Sequence, residues 1–301
     1  MAGSAPGGTL PPMTWSIEGR SVLITGGNAG IGRATARELA AQGANVTIGV
    51  RDRQKGLDTA HGIESETGRA VAVLVVDLAD LGSVRTAAST FLADNERLDV
   101  LINNAGGFFG RAATTADGLE RTWATNYVGP FLLTRLLLPL LVESAPARII
   151  NVGSSAHGSA DEGIRFGELD STTGYKMMDN YGHSKLANIL HARELERRYG
   201  DAEVHAYSMH PGMVKTSIGS GGDSALVALA VRIAGWRWKT PEQGADTIVW
   251  LATVAEPPEP RGGYFEDRTE ARSSRHARDD DMAARLWQVT DDRLARIGGG
   301  T

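Results

Sequence analysis

The chain has 301 residues, 42% hydrophobic and 22% charged, ordinary globular usage that excludes wholesale disorder. Lys and Arg number 31 against 36 Asp and Glu, a net charge of −5, which excludes the basic face a nucleic-acid binder needs to displace counterions. Cysteine is absent, so disulfides, thiolate metal sites and cysteine nucleophiles are excluded as well.

Residues 1–14 carry no charged side chain and include Pro6, Pro11 and Pro12. They lack the basic start and apolar run of a secretory signal and read as a disordered arm ahead of a single domain over residues 15–301. From Ser21 onward, short β-branched runs alternate with longer helical stretches. Strands are expected at Ser21–Thr25, Asn45–Val50, Val71–Val76, Leu98–Ile102, Arg148–Val152, Glu203–Ser208 and near Tyr264. Helices are expected at Arg33–Gln42, Leu81–Asp94, Leu119–Leu141 and Tyr181–Tyr199. The strands are continuous apolar runs, as in parallel strands buried on both faces. The alternation predicts an α/β fold built on a doubly wound parallel sheet of about seven strands, with helices on both faces and ligands bound beyond the carboxyl ends of the strands. The longest apolar run, Phe131 to Val142, is interrupted by Thr134, Arg135 and Pro139. It is shorter than the roughly 20 residues that cross a bilayer, so no membrane span is expected and a cytoplasmic location is.

The first strand runs into Thr25-Gly26-Gly27-Asn28-Ala29-Gly30-Ile31-Gly32. A glycine turn between strand and helix lets the backbone approach a pyrophosphate, and the helix start supplies free N–H groups. Gly26, Asn28, Gly30, Ile31 and Gly32 are therefore candidate dinucleotide contacts. The spacing is GxxxGxG and not GxGxxG, and a plain tight turn in a glycine-rich chain is the alternative. The second strand ends at Val50 and is followed by Arg51-Asp52-Arg53. Arginine grips phosphate through forked, charge-assisted bonds. Arg51 on a 2′-phosphate favours NADP(H), while Asp52 leaves NAD(H) open and a solvated loop would need neither.

Tyr181-Gly182-His183-Ser184-Lys185 opens a helical stretch. Residues four apart share a helix face, so the Lys185 ammonium is expected to lower the Tyr181 phenol below its usual pKa, and the positive charge of an oxidised nicotinamide ring to lower it further, making it a proton donor and acceptor near neutrality. The fifth strand stops at Gly153-Ser154-Ser155, where a hydroxyl can polarise a substrate carbonyl. No G-x-S-x-G elbow accompanies it, which argues against a hydrolase. The seven histidines show no metal-ligand spacing, so no catalytic metal is expected.

In these motifs, together with Asp77-Leu78, Asn103-Asn104-Ala105-Gly106, Asn126 and His210-Pro211-Gly212 with Thr216, the chain resembles the short-chain dehydrogenase/reductase family from Gly19 to about Arg296. The resemblance implies a single Rossmann-type domain that binds a nicotinamide dinucleotide and interconverts an alcohol with a ketone or aldehyde. It implies Tyr181 as proton carrier, Ser154 as polarising hydroxyl with Ser155 as a lesser alternative, Lys185 tuning Tyr181, and Asn126 holding a water beside Lys185. It further implies cofactor contacts at Asp77, Leu78, Asn104, Ala105, Gly106, Tyr181, Lys185, Pro211, Val214 and Thr216. Asn126-Tyr127-Val128-Gly129-Pro130-Phe131, Ala156-His157, YGHSKLAN and Leu286-Trp287 are similar to the retinol-dehydrogenase-like subgroup. There the strand end reads Asn-Val-Ser-Ser, and Gly153 replaces the first serine. Family members are often dimers or tetramers, so a homo-oligomer is expected.

On the substrate side, Gly219-Ser220-Gly221-Gly222 leads into the apolar stretch Ala225–Trp236. Within residues 213–240 this reads as a substrate lid, or equally as a buried subunit contact or a membrane-surface helix. Each reading suits an apolar, small to medium substrate. Arg261–Arg278, five arginines broken by Glu266, Asp267 and Glu270, reads as solvated surface. Two other functions stay open: a silent dinucleotide-binding sensor or scaffold, and a reductase of C=C or C=N bonds on the same fold.

Overall fold

The computed structural model describes residues 15–214 and 238–298. The N-terminal arm, Thr216 and the 219–236 stretch lie outside the described residues.

The apolar runs form strands β1 (Ser21–Thr25), β2 (Asn45–Val50), β3 (Ala72–Val75), β4 (Val100–Asn103), β5 (Ala147–Val152), β6 (Val204–Met209) and β7 (Tyr264–Glu266). A two-residue strand, β8 (Thr269–Glu270), follows. The order is β3-β2-β1-β4-β5-β6-β7-β8, parallel except for the antiparallel β7–β8 pair. The seven expected parallel strands are present, and β8 adds a hairpin that was not foreseen. Helices are α1 (Gly30–Ala41), α2 (Arg53–Thr67), α3 (Leu81–Asp94), α4 (Arg121–Glu143), α5 (Met177–Tyr199), α6 (Pro241–Thr253) and α7 (Asp280–Gly298).

Strand side chains alternate between two cores. Leu23, Leu101, Ile149 and Ala206 enter the core under α3, α4, α5 and α7. Val22, Ile24, Ile102, Ile150 and Tyr207 enter the core under α1 and α6. Both sheet faces are therefore covered, which is why the strands show no polar alternation.

Helix starts follow local chemistry. Asp52 and Asp80 cap α2 and α3, and Thr240 with Gln243 forms a capping box on α6. Glu120 caps α4 by accepting from Thr122 N and Trp123 N at 2.8 and 2.9 Å. This helix contains a π-turn at Ala124–Val128, a local widening common at functional sites. By length and composition α4 is apolar enough to cross a membrane, but 72% of its apolar window is buried in this fold, where it packs against α3 and the sheet.

Candidate active site

The chain reverses its winding between β1 and β4: α1 covers one face and α4 the other. The crevice at their carboxyl ends is where open α/β sheets bind ligands. Two turns meet there. Gly26 holds φ at +69°, and a Cβ on it would lie 3.0 Å from Ala105 Cα, so only glycine fits this approach. The Thr25 hydroxyl accepts from Asn104 N at 3.1 Å and Ala105 N at 3.0 Å, and Asn104 Nδ2 donates to Thr25 O at 2.8 Å. These bonds fix the turn after β1 against the turn after β4. Beyond the turn, α1 starts at Gly30 with Ala29 as its cap residue and no side-chain capping bond. Its first N–H groups thus point into the crevice with a positive dipole end. Ile31 is buried, Asn28 O accepts from Thr59 Oγ1 at 3.2 Å, and Gly32 packs on Gly26 O and the Asn104 amide.

Arg51 follows β2, is exposed, and carries no ion pair among the described residues. Asp52 is occupied as the α2 cap, accepting from Lys55 N at 3.2 Å. After β3, Asp77 accepts from Ala79 N at 2.9 Å while its own N–H donates to Ser83 Oγ at 2.9 Å. Leu78 is buried in the core. Past β6, Val214 is buried, pairs with Lys239 through a backbone bridge, and packs against Gly244 on α6. Pro211 is half-buried.

The four candidate catalytic residues come from three segments, the turn after β5 (Ser154), α4 (Asn126) and α5 (Tyr181 and Lys185), and converge. On α5, Lys185 is buried, with its Nζ 2.8 Å from Val152 O at the end of β5 and 5.6 Å from the centroid of the Tyr181 ring. Burial pushes its ammonium down to about 8. The Ser154 side chain lies close enough to the Tyr181 hydroxyl to favour its ionised form, whereas Ser155 is exposed. Asn126 sits in the π-turn of α4, fully buried. It accepts from Gly107 N at 2.7 Å and donates to Gly107 O and Ser184 Oγ, both at 3.0 Å. A Cβ on Gly106 would lie 3.3 Å from Asn126 Oδ1 and 3.4 Å from Lys185 Nζ. Both polar groups therefore face the space that Gly106 leaves open.

The expectation that the Lys185 ammonium by itself lowers the Tyr181 phenol is corrected. In the structure, burial raises the Tyr181 phenol above its ordinary value, with only the Ser154 side chain acting the other way. The Lys185 ammonium is itself desolvated and bonded to Val152 O, so one helical turn of proximity does not outweigh the loss of water around the phenol.

Sequence reasoning missed three residues of the site. Thr25 clamps both turns, Phe108 packs edge-on against Tyr181 with centroids 5.0 Å apart, and Ser184 anchors Asn126. Ser184 lies inside the Tyr181–Lys185 motif and so was within reach. Phe108 had no signal beyond following a glycine pair.

Residues 20–224 match the family model described as short chain dehydrogenase. Mouse retinol dehydrogenase 12 is 44% identical over 280 residues, covering 92% of this chain and 87% of that protein. Among solved structures, an uncharacterized protein from Mycobacterium paratuberculosis is 33% identical with a TM-score of 0.73, covering 93% of this chain and 95% of that one. A Pseudomonas aeruginosa RhlG/NADP active-site complex is 30% identical with a TM-score of 0.66, covering 83% and 94%.

Proposed function

The chain belongs to the short-chain dehydrogenase family and is an oxidoreductase of alcohol and carbonyl groups; from that premise we propose that it uses NADP(H) and interconverts an apolar ketone or aldehyde with its alcohol. The convergence of Tyr181, Ser154, Lys185 and Asn126, the last two facing the space beside Gly106, carries this reading.

The crevice suits a nicotinamide dinucleotide. The uncapped start of α1 and the glycine turn fit a pyrophosphate, Asp77 and Leu78 fit the adenine end, and the opening at Gly106 leaves room near the reacting groups. When bound, the cofactor donates or accepts a hydride at the substrate carbon. Tyr181 delivers the proton to the carbonyl oxygen or takes it from the alcohol, and Ser154 donates a hydrogen bond to the same oxygen. Lys185 keeps a positive charge beside the phenol and would hold the ribose hydroxyls of the bound cofactor. Asn126 Oδ1 and Lys185 Nζ both face the space beside Gly106, where one water bridging them would return the proton to solvent.

Arg51 supports the preference for NADP(H): it is free to meet a 2′-phosphate, and Asp52, the acidic alternative for ribose hydroxyls, is committed to the α2 cap. An apolar substrate is supported by Phe108 on the Tyr181 ring and by Met178, exposed one turn ahead of Tyr181 on α5. The name of the mouse relative makes retinaldehyde one member of the panel to test.

The test is consumption of NADPH and NADH by purified protein with octanal, 2-decanone and retinaldehyde, with products identified. Faster NADPH consumption and an alcohol product are expected. A retinaldehyde product reduced at a carbon–carbon double bond in place of the aldehyde, or equal use of NADH, would overturn the proposal.

A further inference from the structure

Ser154 polarises a carbonyl only if its hydroxyl is held at a fixed place beside Tyr181. It stands just past the end of β5, where the sheet no longer fixes the backbone. The structure shows what fixes it instead. His157, three residues on and 4% exposed, bonds to Ser154 O twice: its backbone N–H at 3.0 Å and its ring Nδ1 at 2.7 Å. Its other ring nitrogen, Nε2, lies 3.0 Å from the backbone N of Ser274, in the segment that follows β8.

These contacts determine the tautomer. A backbone N–H can only donate, so Nε2 is the acceptor and carries no proton. A carbonyl can only accept, so Nδ1 carries the proton. Both requirements are met by the same neutral imidazole, and the imidazolium would lose the Ser274 bond because both its nitrogens donate. The ring is further held edge-on by Tyr264 of β7, with centroids 5.1 Å apart. Tyr264 in turn occupies the space over Gly153: a Cβ there would lie 3.2 Å from Tyr264 Cε2 and 3.2 Å from Met209 O. The glycine that replaces the subgroup's first serine thus leaves room for the tyrosine that braces His157.

We propose that His157 is the positioning residue of Ser154, a neutral imidazole that straps the carbonyl of the catalytic serine to the Ser274 backbone and so couples the post-β8 segment to the active site. This rests on the reading of Ser154 as the polarising hydroxyl. Both ring nitrogens of His157 are taken by backbone groups and the side chain is buried, so it acts through Ser154.

The experiment is a double-mutant cycle on the full chain, using octanal and NADPH, with NADPH affinity from fluorescence titration and thermal midpoint as parallel readouts. The variants are S154A, H157N, H157Q and S154A/H157Q. The H157N amide nitrogen can take the place of Nδ1 and keep the bond to Ser154 O. The H157Q amide oxygen can take the place of Nε2 and keep, of the ring's two bonds, only the one to Ser274, while the backbone N–H bond to Ser154 O is common to all the variants. H157Q is expected to lower kcat at least tenfold with NADPH affinity within twofold of the parent, and H157N is expected to recover most of that loss. S154A/H157Q is expected to be no slower than S154A. Losses that multiply in the double variant, or equal damage from H157N and H157Q, would overturn the proposal, as would an unaffected H157Q beside an inactive S154A. Full activity in S154A would instead remove the underlying reading of Ser154, an outcome separate from the others.

Discussion

Thr25→Val removes one hydroxyl while keeping the side chain's shape. In the structure that hydroxyl accepts from Asn104 N at 3.1 Å and from Ala105 N at 3.0 Å, and donates to Ile102 O at 3.4 Å. Thr25 is 1% exposed, so water cannot replace it. An unsatisfied buried N–H costs about 1–3 kcal/mol. Asn104 and Ala105 are half-buried, which points to the lower part of that range, about 2–4 kcal/mol for the pair. At roughly 2 °C per kcal/mol for a chain of this size, the thermal midpoint should fall by about 4–8 °C. The lost bonds are those that set the glycine turn against Ala105, so NADPH binding should weaken about tenfold, the equivalent of about 1.4 kcal/mol of misplacement. Differential scanning fluorimetry and fluorescence titration read the two effects. Thr25→Ser keeps the hydroxyl and loses one methyl, about 1 kcal/mol, and should bind NADPH as the parent does. If T25V matched the parent in both measurements, or T25S bound NADPH as poorly as T25V, the clamp would have no energetic content.

Two further outcomes are expected. Arg51→Ala should raise the KM for NADPH by about 10–100-fold, the loss of a charge-assisted contact of roughly 1.5–3 kcal/mol, and leave the KM for NADH unchanged; equal changes for both cofactors would remove Arg51 from 2′-phosphate recognition. Acid should unfold the protein through its buried histidines. Burial depresses His183 and His210 to about 4 and His191 to about 3, below the ordinary value of about 6.5. Between those values the unfolded chain binds more protons than the folded one, so stability is complete above pH 6.5 and drains as pH falls beneath it, by up to about 2 kcal/mol per histidine at pH 5. A thermal midpoint that stays level from pH 7 to pH 5 would contradict these assignments.

How far the sequence reached depended on where burial or hydrogen bonding left a local mark. β1, β2 and α3 stand at the expected bounds because uninterrupted apolar runs and an Asp80 cap are local signals. α2 went unseen, since only Gly56, Ala60 and Ile63 of its 15 residues are buried and its polar stretch looks like loop. α6 and α7 were also missed, and β8 is too short to leave a pattern. Tyr181, Lys185 and Ser154 were readable as spaced motifs. Which serine lies beside Tyr181 depends on the turn after β5, and that turn is set by His157 and by Ser274, 117 residues away. The raised Tyr181 phenol was likewise out of reach, because local spacing records the neighbouring charge and not the burial that opposes it.

The central claim concerns the Tyr181 hydroxyl, and Tyr181→Phe tests it with the loss of one oxygen atom. Turnover of NADPH with octanal should fall by at least about a hundredfold, the usual share of a positioned acid–base group, with NADPH affinity preserved. Turnover at the parent's rate in that variant would show that the proton travels by another route.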